Sequence, residues 1–248
     1  MHDNPIIYWY LGEAGPEGAG LTTDSAVQCL STEELRRFDQ LRFPKRSYEW
    51  LLGRITAKTL LRRCVPELDG IEFRCLTIAN HPQGAPYALL NGDPLPYPLS
   101  ITHRAGLAAA AVTTSPGIGL GIDLEWVEER DASFYTDYFT PGESRVLTEV
   151  ASGELASIGT LIWSAKEAML KALGQGLRVD TRSVEVLRIG NISNQGWKEL
   201  ELMAPGMPDT LWHGYWRRVE NHICTVVLIG AAGQPVLRKV DRVTGELL

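Results

Sequence analysis

Apolar and polar positions change register several times along this chain, and each change marks an element. Ile6–Leu11 reads as a short apolar strand, followed by a Gly/Pro-rich loop through Gly20. Ser31-Thr32-Glu33-Glu34 has the form of a helix start, with Ser31 as cap and Glu34 completing a capping box; Leu35, Phe38 and Leu41 then fall at helical spacing. Pro44 interrupts. The spacing of Leu51, Ile55, Thr59 and Arg62 predicts a second helix from Ser47 to Cys64, closed by Pro66 and Gly70. Ile71–Ala79 reads as a strand, and the Pro-, Gly- and Asn-rich residues 80–98 as loop or edge structure. Leu99–His103 and Leu107–Thr113 read as two strands about a turn at Arg104-Ala105-Gly106, and Ile118–Val127 as another strand with a central apolar run.

A polar stretch and the aromatic run Phe134–Phe139 lead to a second helix start, with Thr140 as cap, Pro141 at the first position and Glu143 three after the cap. Leu161–Leu173 is a strong helix stopped by Gly174 and Gly176. Val184–Ile189, Trp197–Met203, Leu211–Arg218 and Ile223–Ile229 are strands with partial alternation. No low-complexity tract or internal repeat is evident in the sequence. Strands and helices mix once in each half, which predicts an α+β fold in two halves, 1–115 and 116–248, jointed near Thr114–Gly117.

Composition adds exclusions. No run of 18 apolar residues exists, so no membrane span is expected. Met1-His2-Asp3-Asn4-Pro5 lacks the basic start and apolar core of a signal peptide, and the expected location is cytoplasmic. Cys29, Cys64, Cys75 and Cys224 are scattered without a CxxC pair and read as reduced, mostly buried thiols. The histidines are scattered too, which argues against zinc. The net charge of −6 hides a basic segment at residues 36–63, where Arg36, Arg37, Arg42, Lys45, Arg46, Arg54, Lys58, Arg62 and Arg63 face only Asp39 and Glu49. A local basic patch on an acidic chain fits one anionic ligand or partner rather than nucleic acid in general; a solvated helical face gives the same pattern.

Two segments carry candidate chemistry. In Gly121-Ile122-Asp123-Leu124-Glu125, residues two apart on a strand project from one face, so Asp123 and Glu125 point together while Ile122, Leu124 and Trp126 face the core. Adjacent carboxylates raise each other's proton affinity unless a cation sits between them. In Trp163-Ser164-Ala165-Lys166-Glu167-Ala168-Met169-Leu170-Lys171, Trp163, Glu167 and Lys171 share a helix face. Each segment alone also reads as solvated acids at a strand end, or as a surface Glu–Lys pair with Lys166 a surface charge. Jointly, Asp123, Glu125 and Glu167 supply oxygen ligands suited to Mg²⁺, and Lys171 could balance phosphate charge.

On these residues the chain resembles the 4′-phosphopantetheinyl transferases, of the long, surfactin-synthetase-activating type. Gly119–Glu125 resembles the family's Gly-Ile-Asp-x-Glu segment, Phe139-Thr140-Pro141-Gly142-Glu143 its Phe-Ser/Thr-x-x-Glu, and Trp163–Lys171 its Trp-Ser-x-Lys-Glu-x-x-x-Lys helix. Ser100-Ile101-Thr102-His103 resembles the upstream Ser/Asn-x-Ser-His, and Leu51-Leu52-Gly53-Arg54, preceded by Arg46, resembles the helix that meets the nucleotide end of coenzyme A. One departure stands out: the family commonly has Gly-Lys-Pro before the His motif, its lysine near the coenzyme A phosphates, and this chain has Gly84-Ala85-Pro86. Arg46, Arg54 or Lys58 are the cations left to compensate.

The resemblance implies a holo-[acyl-carrier-protein] synthase activity: transfer of 4′-phosphopantetheine from coenzyme A to a serine of an apo acyl or peptidyl carrier protein, with release of adenosine 3′,5′-bisphosphate, as in nonribosomal peptide or polyketide biosynthesis. It implies Mg²⁺ on Asp123, Glu125 and Glu167, with Glu167 taking the serine proton directly or through water. Lys171 would stabilise the pyrophosphate, His103 and Thr102 would bind coenzyme A phosphate, and Arg46 and Arg54 would receive the 3′-phosphate. The aromatic segment from Phe134 could add carrier contacts. The implied fold is a monomeric pseudo-dimer of two similar α+β halves with the active site in the cleft between them. Another Mg²⁺-dependent phosphotransferase, or a non-catalytic coenzyme A or carrier-binding module, remains an alternative; the lack of a Gly-x-x-x-x-Gly-Lys-Ser/Thr loop lowers the first.

Overall fold

The expected strands Leu99–His103 and Leu107–Thr113 pair as a hairpin in the first of two packing units, the second of them inside its sheet and the first at its edge. In the computed structural model, which describes residues 4–13, 23–192 and 196–241, the described residues of Pro5–Pro116 and 236–241 form one unit, and those of Gly117–Pro235 with Asn4 form the other. The Gly/Pro-rich loop expected before Gly20 lies, over residues 14–22, outside the described residues.

The first unit starts with β1 (Ile6–Glu13), α1 (Thr23–Cys29), α2 (Thr32–Phe38) and α3 (Pro44–Cys64), and continues with β2 (Leu76–Asn80), β3 (Pro86–Leu90), β4 (Asp93–Pro94), β5 (Leu99–Arg104) and β6 (Leu107–Thr113). The capping box forms as read: Ser31 Oγ accepts from Glu34 N at 3.4 Å and Glu34 Oε2 accepts from Ser31 N at 2.9 Å. Pro44 lies between the two helices as expected and itself opens α3 three residues before Ser47, in the first turn, where a missing N–H costs nothing. Leu41 falls after α2 has ended. The strand expected from Ile71 begins only at Leu76, because Phe73–Cys75 close a 3₁₀ turn. The turn between β5 and β6 works because Ala105 and Gly106 both take positive φ, at 48° and 85°. β6 is buried along its whole length, and α3 packs across β1, β5 and β6.

The second unit holds β7 (Gly119–Trp126), α4 (Ala132–Tyr138), α5 (Pro141–Glu149), α6 (Leu155–Ala172), β8 (Glu185–Ile192), β9 (Lys198–Met203), β10 (Trp212–Val219) and β11 (His222–Ile229). Its antiparallel sheet runs in the order β7-β11-β10-β9-β8, with α6 lying on β7 and β11. The core is built from α6 residues Leu161, Ile162, Ala165, Ala168, Met169 and Leu170 against Val184, Ile223 and Val227. Each unit therefore presents a sheet with one long helix on it, an α+β content throughout.

The boundary expected at 115/116 needs a correction at the far end. The last strand, β12 (Val236–Lys239), leaves the second unit and pairs in parallel with β1, from Ile6↔Val236 to Trp9↔Lys239, completing the order β12-β1-β6-β5. Residues 236–241 thus pack with the first unit rather than with 117–235. Among the described residues no helix is long and apolar enough to cross a membrane, and all four cysteines are free.

Candidate metal and phosphate site

Asp123 and Glu125 reach the same side of β7 by strand alternation, and the structure brings Glu167 of α6 to meet them. One carboxylate oxygen from each lies within 4.8 Å of the others. The approach of helix to strand depends on two missing side chains. A Cβ on Gly121 would sit 1.9 Å from Ala168 O, and one on Gly119 would sit 2.4 Å from Ala172 O. Glycine at both positions lets α6 lie directly on β7 and carries Glu167 to the carboxylates.

The carboxylates differ in support. Asp123 is buried, and the Lys171 ammonium donates to its Oδ1 at 2.6 Å and to Ile122 O at 3.1 Å. Glu125 accepts from the Trp163 indole at 3.2 Å on one oxygen and from Arg130 at 3.4 Å on the other. Arg130 also pairs with Glu128 and lies over the Phe134 ring. Glu167 has Lys171 only at 4.0 Å. Burial, and then the neighbouring Asp123 charge, push the Glu167 carboxyl up to about 8. Burial pulls the Lys171 ammonium the other way, but Asp123 and Glu167 outweigh it and its proton affinity ends above the usual lysine range. Three convergent oxygen donors, one of them disfavoured as an anion by burial and by its neighbouring carboxylate, fit a small hard cation such as Mg²⁺.

α6 is anchored by consecutive residues around this point. Trp163 holds Glu125, and Ser164 bonds Thr225, the residue paired with Asp123 across β7 and β11. Lys166 is fully buried, contrary to a surface charge; its ammonium bonds Glu143 at 2.7 Å and Val184 O at 2.6 Å. Glu143 and Lys166 are thus one buried pair, a link that their 23-residue separation concealed. Trp126, expected in the core, is 37% exposed and packs edge-on to His222, its partner at the last position of β7. Arg130 was also missed by motif reading, and its single position on a polar stretch gave no periodic signal.

The other expected site residues belong to the first unit. Arg46 is exposed in the first turn of α3. Arg54 is 8% exposed, lies over the Trp50 ring, and bonds Asn80 Oδ1 at 2.7 Å. Burial lowers its proton affinity to about 10, which leaves it charged at neutral pH. Asn80 in turn donates to Gly84 O at 2.7 Å, so Arg54 is tied to the Gly84-Ala85-Pro86 turn. Thr102 is buried on β5 and His103 projects to the opposite, partly exposed side, with Nδ1 3.9 Å from Glu49. Lys58, one of the three compensating cations considered for Ala85, is eliminated: it is fully buried against Glu34 at 2.5 Å.

A family model described as the 4′-phosphopantetheinyl transferase superfamily matches residues 119–227, the stretch from β7 into β11 that contains Asp123, Glu125, Glu167 and Lys171. A putative 4′-phosphopantetheinyl transferase of Synechocystis sp. is 24% identical over 151 residues, 60% of this chain and 58% of that protein. The 4′-phosphopantetheinyl transferase of Paxillus involutus is 28% identical over 179 residues, 65% of this chain and 63% of the relative. The 4′-phosphopantetheinyl transferase HetI of Nostoc sp. is 28% identical over 153 residues, with 60% and 61% covered. The chain thus spans about three fifths of the length of these relatives. A holo-(acyl-carrier-protein) synthase from Bacillus anthracis, solved in complex with CoA (3′,5′-ADP), shares 20% identity over 46% of this chain and 96% of its own, with a TM-score of 0.37.

Proposed function

We propose that this chain, whose residues 119–227 match the 4′-phosphopantetheinyl transferase superfamily model, belongs to that family and moves the 4′-phosphopantetheine arm of coenzyme A to a serine hydroxyl of an apo acyl or peptidyl carrier protein. The observation that carries this reading is the convergence of Asp123, Glu125 and Glu167, with Lys171 bonded to Asp123, inside the matched segment. In the reaction the serine oxygen bonds the phosphorus that bears the pantetheine arm. The bond from that phosphorus to the bridging pyrophosphate oxygen breaks, and adenosine 3′,5′-bisphosphate leaves.

Asp123, Glu125 and Glu167 would hold Mg²⁺, which when bound stabilises charge gathering on the phosphoryl oxygens. Glu167 would take the serine proton, directly or through water. Lys171 keeps its charge beside Asp123 and would offer it to the pyrophosphate. The Trp163 indole and Arg130 fix the two oxygens of Glu125, so its orientation is set before substrate arrives.

Arg46, Thr102 and His103 would take coenzyme A phosphates. Arg54 is our choice to replace the amine absent at Ala85, because Asn80 links it to that turn whereas Lys58 is sealed in an ion pair. Its planar fork suits phosphate oxygens. The long, surfactin-synthetase-activating subtype, a monomeric state, cytoplasmic location and service to peptide or polyketide carriers belong to the same proposal. Incubation with coenzyme A, Mg²⁺ and apo carriers from fatty-acid, polyketide and peptide synthases tests it. The expected result is a mass gain of one phosphopantetheine arm on at least one class; no gain on any class sinks it.

A further inference from the structure

Lys166 and Glu143 form a fully buried ion pair that touches neither carboxylate of β7, yet Lys166 is the residue next to Glu167. Its wiring is specific. Glu143 Oε2 accepts from Lys166 and from Thr140 N at 2.9 Å; Glu143 Oε1 accepts from Val186 N at 2.9 Å; Lys166 also donates to Val184 O. One pair therefore ties the start of α5, the start of β8 and the middle of α6 together.

The first unit contains the same device. Glu34 Oε2 accepts from Lys58 and from Ser31 N at 2.9 Å, Glu34 Oε1 accepts from Ile78 N at 2.9 Å, and Lys58 also donates to Phe73 O at 3.0 Å. In both units a capping-box glutamate meets a lysine in the middle of the long helix and a backbone N–H near the start of a strand. The spacings agree closely, since Glu34 to Lys58 spans 24 positions and Glu143 to Lys166 spans 23. What differs is the neighbour. Lys58 is followed by Thr59, and Lys166 by Glu167.

We infer that the Lys166–Glu143 pair positions Glu167 for metal binding. Successive helix residues are turned by about 100°, so Lys166 and Ala168 face nearly opposite ways and Glu167 lies between them. On the Ala168 side the helix rests on the Cβ-less Gly121 of β7; on the Lys166 side it is held by α5 and β8. Held on both flanks, α6 cannot slide or roll, and Glu167 stays within 4.8 Å of Asp123 and Glu125. Neither Lys166 nor Glu143 touches the ion; both act through Glu167, as the supporting partners of metal ligands do.

The inference rests on the proposed metal site, and the twin supplies the control. Mn²⁺ affinity is read by electron paramagnetic resonance of free Mn²⁺ during titration of the full chain, without coenzyme A or carrier, beside thermal melts. Lys166→Met is expected to weaken Mn²⁺ binding by about 10- to 100-fold, whereas Lys58→Met, which loses the same kind of pair in the unit without the carboxylates, stays within about twofold of the parent. Should Lys166→Met not fold, Glu143→Gln, which keeps a hydrogen-bond acceptor for Lys166, is read in its place and is expected to weaken binding by about tenfold. Parent-like Mn²⁺ affinity in the folded Lys166 or Glu143 variant overturns the inference, as does an equal loss in Lys58→Met. Absence of saturable Mn²⁺ binding by the parent overturns the metal site itself.

Discussion

Replacing Glu167 with Gln removes the carboxylate of the triad whose cation is most distant, Lys171 at 4.0 Å. Its proton affinity is raised from the ordinary carboxylate value of 4.5 to about 8, chiefly by burial and next by Asp123. The folded state therefore holds a proton that the unfolded chain releases, so this group's contribution to stability is fully present below about 4.5 and is lost as pH rises through about 8. At about 1.4 kcal/mol per pH unit, the ionised carboxylate costs at most about 5 kcal/mol above pH 8 and about 3 kcal/mol near pH 7. The carboxylates titrate together, so half of that ceiling is the sounder expectation. Gln is nearly isosteric and neutral. Glu167→Gln should raise the stability of the metal-free protein by about 2 kcal/mol at pH 8, or roughly 4–8 °C in melting temperature, and by less than about 1 kcal/mol at pH 5. Mg²⁺ should raise the parent's melting temperature, because it binds the folded state alone, and leave the Gln variant unmoved. Urea denaturation at several pH values, with and without Mg²⁺, reads all of this. A Gln variant less stable than the parent at pH 8, or one that Mg²⁺ still stabilises as strongly, would refute the assignment of Glu167 as the least compensated ligand.

Other outcomes follow from the same contacts. Lys171→Met leaves Asp123, only 3% exposed, without its ammonium; a loss of about 2–4 kcal/mol is expected in urea denaturation, and much of it should return when Asp123→Asn is added. Gly121→Ala drives a methyl group toward Ala168 O, 1.9 Å from the ideal Cβ position; a cost of about 3 kcal/mol is expected, with weakened Mg²⁺ stabilisation as α6 lifts from β7. A variant as stable as the parent would contradict that packing. Arg54→Ala should raise the KM for coenzyme A by about tenfold with less change in kcat, as loss of a charge-assisted contact to a non-reacting phosphate would; an unchanged KM would return the search for the missing cation to Arg46.

Local chemistry was readable wherever a few adjacent residues decide the outcome. Both capping boxes, the β5–β6 turn and the shared face of Asp123 and Glu125 formed where their residues stood. Features that close over long separations were not. Lys58 and Lys166 sit on helices where a charge normally means solvent, and only the folded chain shows each meeting a glutamate more than twenty residues away. β12 returns to pair with β1 across almost the whole sequence, and its four residues carry no local sign of that partner. Trp126 keeps its register in β7 but is exposed, because the strand ends there. Gly119 and Gly121 looked like part of a motif, and their physical role, admitting Ala168 and Ala172 to the strand, appeared only with α6 in place.

The central claim is phosphopantetheine transfer from coenzyme A to a carrier serine. The direct measurement is intact-protein mass of an apo carrier together with the amount of adenosine 3′,5′-bisphosphate released, in one Mg²⁺-containing reaction. The account predicts one arm gained per carrier, one nucleotide released per arm, and neither with a carrier whose acceptor serine is alanine. Nucleotide release without carrier modification, or modification that persists after the serine is removed, would contradict it.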